Sequence, residues 1–223
     1  MQTGHRTRIL YGSAVAAAIL TAAWALPISA QVKAIRHMSA VTYVAHLGAL
    51  NSKAADGSAT GTATFTIKGD SLTIAVDARG LPKGMIHWQH FHGFADGRAA
   101  ACPARAADVN HDGIIDVVET GPAAGTTMVP FSEDPVSMDV AQGVYPSASA
   151  TGTLRYTKTV SLSALQAAFS KAFPGQTLDL DRRVVFLHGV PATSHLPASV
   201  ASLGPIPAAV TLPIACGRIS RAR

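Results

Sequence analysis

The stretch His87-Trp88-Gln89-His90-Phe91-His92-Gly93 decides how the rest of the chain is read. Side chains of a strand alternate between its two faces, so a strand here points His90 and His92 the same way. Two imidazoles two residues apart on a strand can bind one metal ion. His87 has the opposite parity and faces away from them. A second apolar run, Val184-Val185-Phe186-Leu187, ends in His188 and offers a third imidazole. The two cysteines of the chain lie on either side of that run, Cys102 in the segment after the cluster and Cys216 in Ile214-Ala215-Cys216-Gly217.

On both sides of this stretch the pattern is one of short strands punctuated by turns. Residues 41–47 have strand composition, and 51–58 form a polar, turn-rich loop. Residues 63–68 and 71–77 alternate and meet at Gly69-Asp70, which reads as a tight hairpin. Leu81-Pro82-Lys83-Gly84 is a turn before the histidine strand, and 94–130 is long and mostly loop. Residues 151–160 alternate again. Ser163-Ala164-Leu165-Gln166 fits a capping box, and Leu162, Leu165, Phe169 and Phe173 recur at helical spacing, stopped at Pro174-Gly175. Residues 184–188 and 210–219 supply the last strands. The reading is all-β: an antiparallel sandwich or barrel with one short helix, spanning about residues 40–220.

Residues 1–30 read as a secretory signal. His5, Arg6 and Arg8 precede an apolar, alanine-rich run, and Pro27-Ile28-Ser29-Ala30 ends on a small residue suited to cleavage. The alternative is an uncleaved membrane anchor, since the run is near the minimum spanning length. Cleavage implies an exported protein, periplasmic or extracellular, with a flexible segment over 31–39 and no membrane span. Loss of Arg6 and Arg8 lowers the net charge from +5 to +3. That mild, scattered basicity gives no nucleic-acid footprint and at most weakly favours a small anion. The composition does not fix an oligomeric state. Two cysteines in an exported chain form a disulfide, or else remain two thiols of which one binds metal.

A second motif lies in the long loop. Asp108-Val109-Asn110-His111-Asp112-Gly113-Ile114-Ile115-Asp116-Val117-Val118-Glu119 fits the twelve-residue calcium loop. Asp108, Asn110, Asp112, the Ile114 carbonyl, Asp116 and Glu119 stand at its ligand positions, with glycine at position 6. The flanking helices of such loops are hard to find here. The competing reading is a hairpin turned at Asp112-Gly113.

The ordered set of motifs resembles the Cu/Zn superoxide dismutases. The matches are His87, His90 and His92; then Cys102; then Arg183-Val184-Val185-Phe186-Leu187-His188; then Ala215-Cys216-Gly217-Arg218-Ile219. The resemblance implies a Greek-key β-sandwich or barrel, a Cys102–Cys216 disulfide, copper on His90, His92 and His188, and His87 as a bracing histidine beside the ligands. It also implies superoxide as the small-anion substrate. Two departures qualify it. The family's zinc-binding histidines and aspartate have no counterpart after Cys102, so no zinc is expected. The family's anion-guiding arginine, three residues before the last cysteine, is Pro213 here. Arg182, Arg183, Arg218 or Lys83 are the candidates to replace its charge. A similar acidic hairpin in that family offers another origin for the calcium-like loop.

Neutral imidazoles also suit zinc, iron and nickel, so copper rests on the resemblance. His111 is a candidate fourth ligand. His46 and His195 read as packed or hydrogen-bonded residues, and His37 falls in the N-terminal segment. Two functions stand side by side: a copper-only dismutase, and a non-enzymatic, calcium-stiffened metal-binding or structural domain of the same fold.

Overall fold

A computed structural model describes residues 39–223. The signal segment, His37 and all but the last residue of the 31–39 segment lie outside the described residues. The strands are β1 (Val41–Ala49), β2 (Thr60–Lys68), β3 (Ser71–Arg79), β4 (Gln89–Gly93), β5 (Thr126–Pro130), β6 (Thr153–Ser161), β7 (Val184–His188) and β8 (Pro213–Arg221). They form one antiparallel sheet, ordered β5-β4-β7-β8-β1-β2-β3-β6 and curled into a half-barrel. The all-β, antiparallel reading therefore holds, with few and short helices.

The β2–β3 hairpin turns at Gly69-Asp70 as expected. Gly69 has φ 60°, a conformation that costs glycine no steric clash. Lys68 pairs with Ser71 directly across the turn. In β3, Leu72, Ile74, Val76 and Ala78 are buried, while Ser71, Asp77 and Arg79 are exposed. This period-2 pattern marks a strand with one wet face. β4 and β7 are buried along their whole length, on both faces. Phe91, Val185 and Leu187 enter the main core with Phe65, Phe131, Phe169 and Leu165. Val184 and Phe186, on the other face, pack with Phe94, Ala100, Ala124 and Cys216.

The structure corrects several local readings. The helix is Leu162–Ala172 and its N-cap is Ser161, not Ser163: the Ser161 hydroxyl accepts from the Ala164 N–H at 3.1 Å. The Asp70 carboxylate accepts from the Ser161 hydroxyl and from the Ser163 N–H, so the hairpin tip clamps the helix start. Gln166, freed from capping, bonds Leu178 and Ser170 instead. β5 lies inside the segment read as mostly loop. The last strand begins at Pro213 rather than 210, because the short helix Ala208–Thr211 precedes it.

The Cys102–Cys216 disulfide is formed, with the Cα atoms 5.8 Å apart. It fastens the loop after β4 to β8 across the smaller cluster. Among the described residues no helix is long and apolar enough to cross a membrane.

Candidate metal centre

The site lies on the face of β4 and β7 that the long loop covers. His90 pairs with Phe186 and His92 with Val184 across the two strands. Register shifts fall between Phe91 and His92 against β5, and between Leu187 and His188 against β8. Such bulges re-aim side chains locally, and each of these two adjoins a site histidine. The ring centroids are 4.6 Å apart for His90–His188, 4.8 Å for His90–His92 and 6.0 Å for His92–His188.

One nitrogen of each ring is buried without a hydrogen-bond partner: Nδ1 of His90, Nδ1 of His92 and Nε2 of His188. Buried polar atoms are normally paired, so three orphans in one cluster call for a ligand. The other His188 nitrogen, Nδ1, lies 2.7 Å from the Thr211 carbonyl and donates to it. That bond fixes the tautomer and leaves Nε2 as the lone-pair nitrogen. His92 Nε2 lies 3.2 Å from the Thr127 hydroxyl, its neighbour across β5. Together the three side chains offer ligand atoms within 4.8 Å of one another. Imidazole, buried and neutral, is the donor that first-row transition ions take. The group can therefore hold a metal ion.

Burial keeps these rings neutral. It pushes His188 down to about 4, with the Thr211 carbonyl partly offsetting it. Burial, then the neighbouring His188, pushes His92 down to about 3. Burial, His188 and His92 hold His90 well below the usual imidazole range. An unfolded chain protonates these rings near pH 6.5; the folded one does not until lower pH. The unfolded state thus binds more protons below 6.5, and stability falls as the pH drops. We expect the melting temperature of the metal-free protein to be flat above pH 7 and to fall steadily between pH 6.5 and about 4. Thermal melts in chelator-treated buffers measure it, with His188→Asn reducing the slope. A profile flat through that window would contradict the buried, neutral assignment.

His87 is fully buried beside the trio. Its Nδ1 faces the His188 carbonyl at 3.0 Å and its Nε2 the Pro82 carbonyl at 2.9 Å. It bridges the turn before β4 to the end of β7, which braces His188 through its own backbone. The sequence held no sign of Thr127 or Thr211, whose partnership depends on strand pairing and on a helix read as strand.

A cavity of about 230 Å³ opens onto His90 and His188. Its other walls are Trp88, Val117, Val140, Ala141, Leu203 and Ile206, with Thr126, Thr127 and Thr211. None of the candidate cations lines it. Arg182 binds the Gly97 carbonyl. Arg183 is fully buried, donates to the carbonyls of Leu178 and Thr177, and lies so close to Gly93 that any side chain there would collide with it. Arg218 and Lys83 are exposed elsewhere. Pro213 pairs with His188 across the strands but does not face the cavity.

The other histidines stand apart. His111 is exposed, with φ 60°, and is no fourth member of the trio. His46 and His195, read as packed or hydrogen-bonded residues, are exposed and stand outside the trio.

The acidic segment 108–119 contains no strand, so Asp112-Gly113 does not turn a β-hairpin. It folds on itself instead. Asp108 accepts from the N–H groups of Asp112 and Gly113, and Glu119 from those of Val109, Asn110 and Asp116. Asp116 takes the Val118, Glu119 and Ala201 N–H groups. Asn51 grips Ile115 through both its N–H and its carbonyl, and also the Pro213 carbonyl. Among the described residues, the histidine trio is the one group of three such side chains that converges within 4.8 Å.

No protein-family model and no curated protein matches the chain.

Proposed function

We propose that this is an exported copper protein of the Cu/Zn superoxide dismutase type, holding one copper ion on His90, His92 and His188 with no companion zinc. The observation that carries the reading is the set of three buried, neutral imidazoles, each with an orphaned nitrogen, on adjacent strands. The ordered motifs and the disulfide support the family assignment and an oxidising compartment. Copper at that position would supply one-electron redox chemistry, which zinc lacks. His188 is oriented by Thr211 and braced by His87; His92 is held against Thr127.

Superoxide dismutation is the reaction the resemblance implies. The apolar cavity favours a second reading, copper binding with little or no turnover, because among the described residues no Lys or Arg lines it to steer or position an anion. Superoxide decay measured by stopped flow on the copper-loaded protein separates them. We expect a rate well below the diffusional ceiling of about 10⁹ M⁻¹s⁻¹, with little dependence on salt. A near-ceiling rate that falls steeply with ionic strength would contradict this.

Asp108, Asn110, Asp112, Ile114, Asp116 and Glu119 we read as a calcium loop that stiffens the cover of the copper site. Calcium at about 100 times its Kd then adds about 2.7 kcal/mol of stability. The melting temperature should rise in millimolar calcium, and Asp108→Ala with Glu119→Ala should abolish the rise. No shift in the wild type would leave the loop as a self-capped structural element.

A further inference from the structure

The cavity over the histidines has walls of one character. Trp88, Val117, Val140, Ala141, Leu203 and Ile206 form its apolar lining, and three threonines are its polar members besides the histidines. Among the described residues no Lys, Arg, Asp or Glu lines it. The charged residues next in the chain to its walls are acidic: Asp116 beside Val117, and Asp139 beside Val140. Both carboxylates are engaged with backbone N–H groups, Asp139 with that of Gln142. An anion entering here would lose its water and meet no side-chain cation, the metal's own charge being its one compensation. A neutral molecule with an apolar body would instead gain by burial.

The wall is also rigid and flat on one side. Trp88 stacks on Tyr145, centroids 5.4 Å apart and planes 23° from parallel. The Tyr145 hydroxyl donates to the Val140 carbonyl at 2.9 Å, fixing the wall that carries Val140 and Ala141. The Ala201 N–H donates to Asp116, tying the segment before Leu203 to the one that bears Val117. At about 230 Å³ the cavity is smaller than the usual drug-sized pocket of about 300–1,000 Å³. It suits a molecule of one or two rings.

Resting on the copper reading above, we propose that this centre takes a small neutral heteroaromatic ligand, its ring held among Trp88, Val140 and Leu203 and its lone-pair nitrogen directed at the metal position between His90 and His188. The side chains add nothing to the metal's own attraction for an anion. The apolar enclosure selects, and the three histidines leave a coordination position for the donor.

The test uses copper-loaded mature protein, its copper content measured first. Imidazole, phenylimidazole and azide are titrated in turn, followed by the copper absorption bands and by Trp88 fluorescence. Phenylimidazole should bind at least about tenfold more tightly than imidazole, the equivalent of about 1.4 kcal/mol. Azide, drawn by the metal's charge alone, should bind less tightly than phenylimidazole. Leu203, 46 % exposed at the rim, gives the variants. Leu203→Ser should shrink the phenyl advantage with copper content unchanged, and Leu203→Arg should strengthen azide binding and make it salt-sensitive. Full copper content with phenylimidazole no tighter than imidazole, or with azide tightest of the three, overturns the ligand assignment alone. A chain that takes up no copper overturns the copper reading and this proposal together.

Discussion

Replacing Cys102 and Cys216 together by alanine is expected to lower the melting temperature by about 10–20 °C. The bond spans 114 residues. In the chain-entropy account, closing a loop of that length stabilises by about 4–5 kcal/mol. In a domain of this size each kcal/mol corresponds to about 2–4 °C. The consequence reaches the site as well. Cys216 packs with Phe94, Ala100 and Ala124, which belong to the segment covering the histidine face. Freed of its tether, that cover should loosen, and copper affinity should fall with stability. Differential scanning calorimetry of the oxidised wild type and the double variant measures the first effect. A drop of less than about 3 °C would mean that the loop is held by packing alone.

The second large effect is on metal binding. Removing a partner that merely orients a metal ligand typically costs 10–100-fold in affinity. A direct ligand must cost at least as much, so His90→Ala, His92→Ala and His188→Ala should each weaken copper binding by about 100-fold or more. His46→Ala and His195→Ala, both at exposed positions, should leave it unchanged. Because the folded rings protonate at lower pH than free imidazole, the acid edge of copper binding should lie below 6.5, toward about 4. Competitive titration against a chelator of known affinity reads all five variants.

The sequence was most legible where chemistry and periodicity coincide. His90 and His92 share a face because strand parity requires it, and His188 joins them because β7 lies beside β4. The alternation of β3 and the glycine at the β2–β3 turn marked that hairpin plainly. Legibility failed where tertiary contacts decide. The helix cap moved from Ser163 to Ser161 because Asp70, distant in sequence, engages both serines. β5 was hidden because Met128, Val129 and Pro130 are buried on both faces, so no alternation shows. Thr211 and Thr127 gained their roles only through folding. Asn51, whose amide pairs with both backbone groups of Ile115, lies 64 residues from it, and no local pattern announces that contact. The cavity's apolar character came from four separate segments, none of which shows it alone.

Copper content of untagged protein, after loading with copper and removal of excess metal, decides whether the three histidines form a copper site. One copper per chain is expected in the wild type and none in the variant that carries alanine at His90, His92 and His188. No copper in the wild type, or equal copper in both, would contradict it.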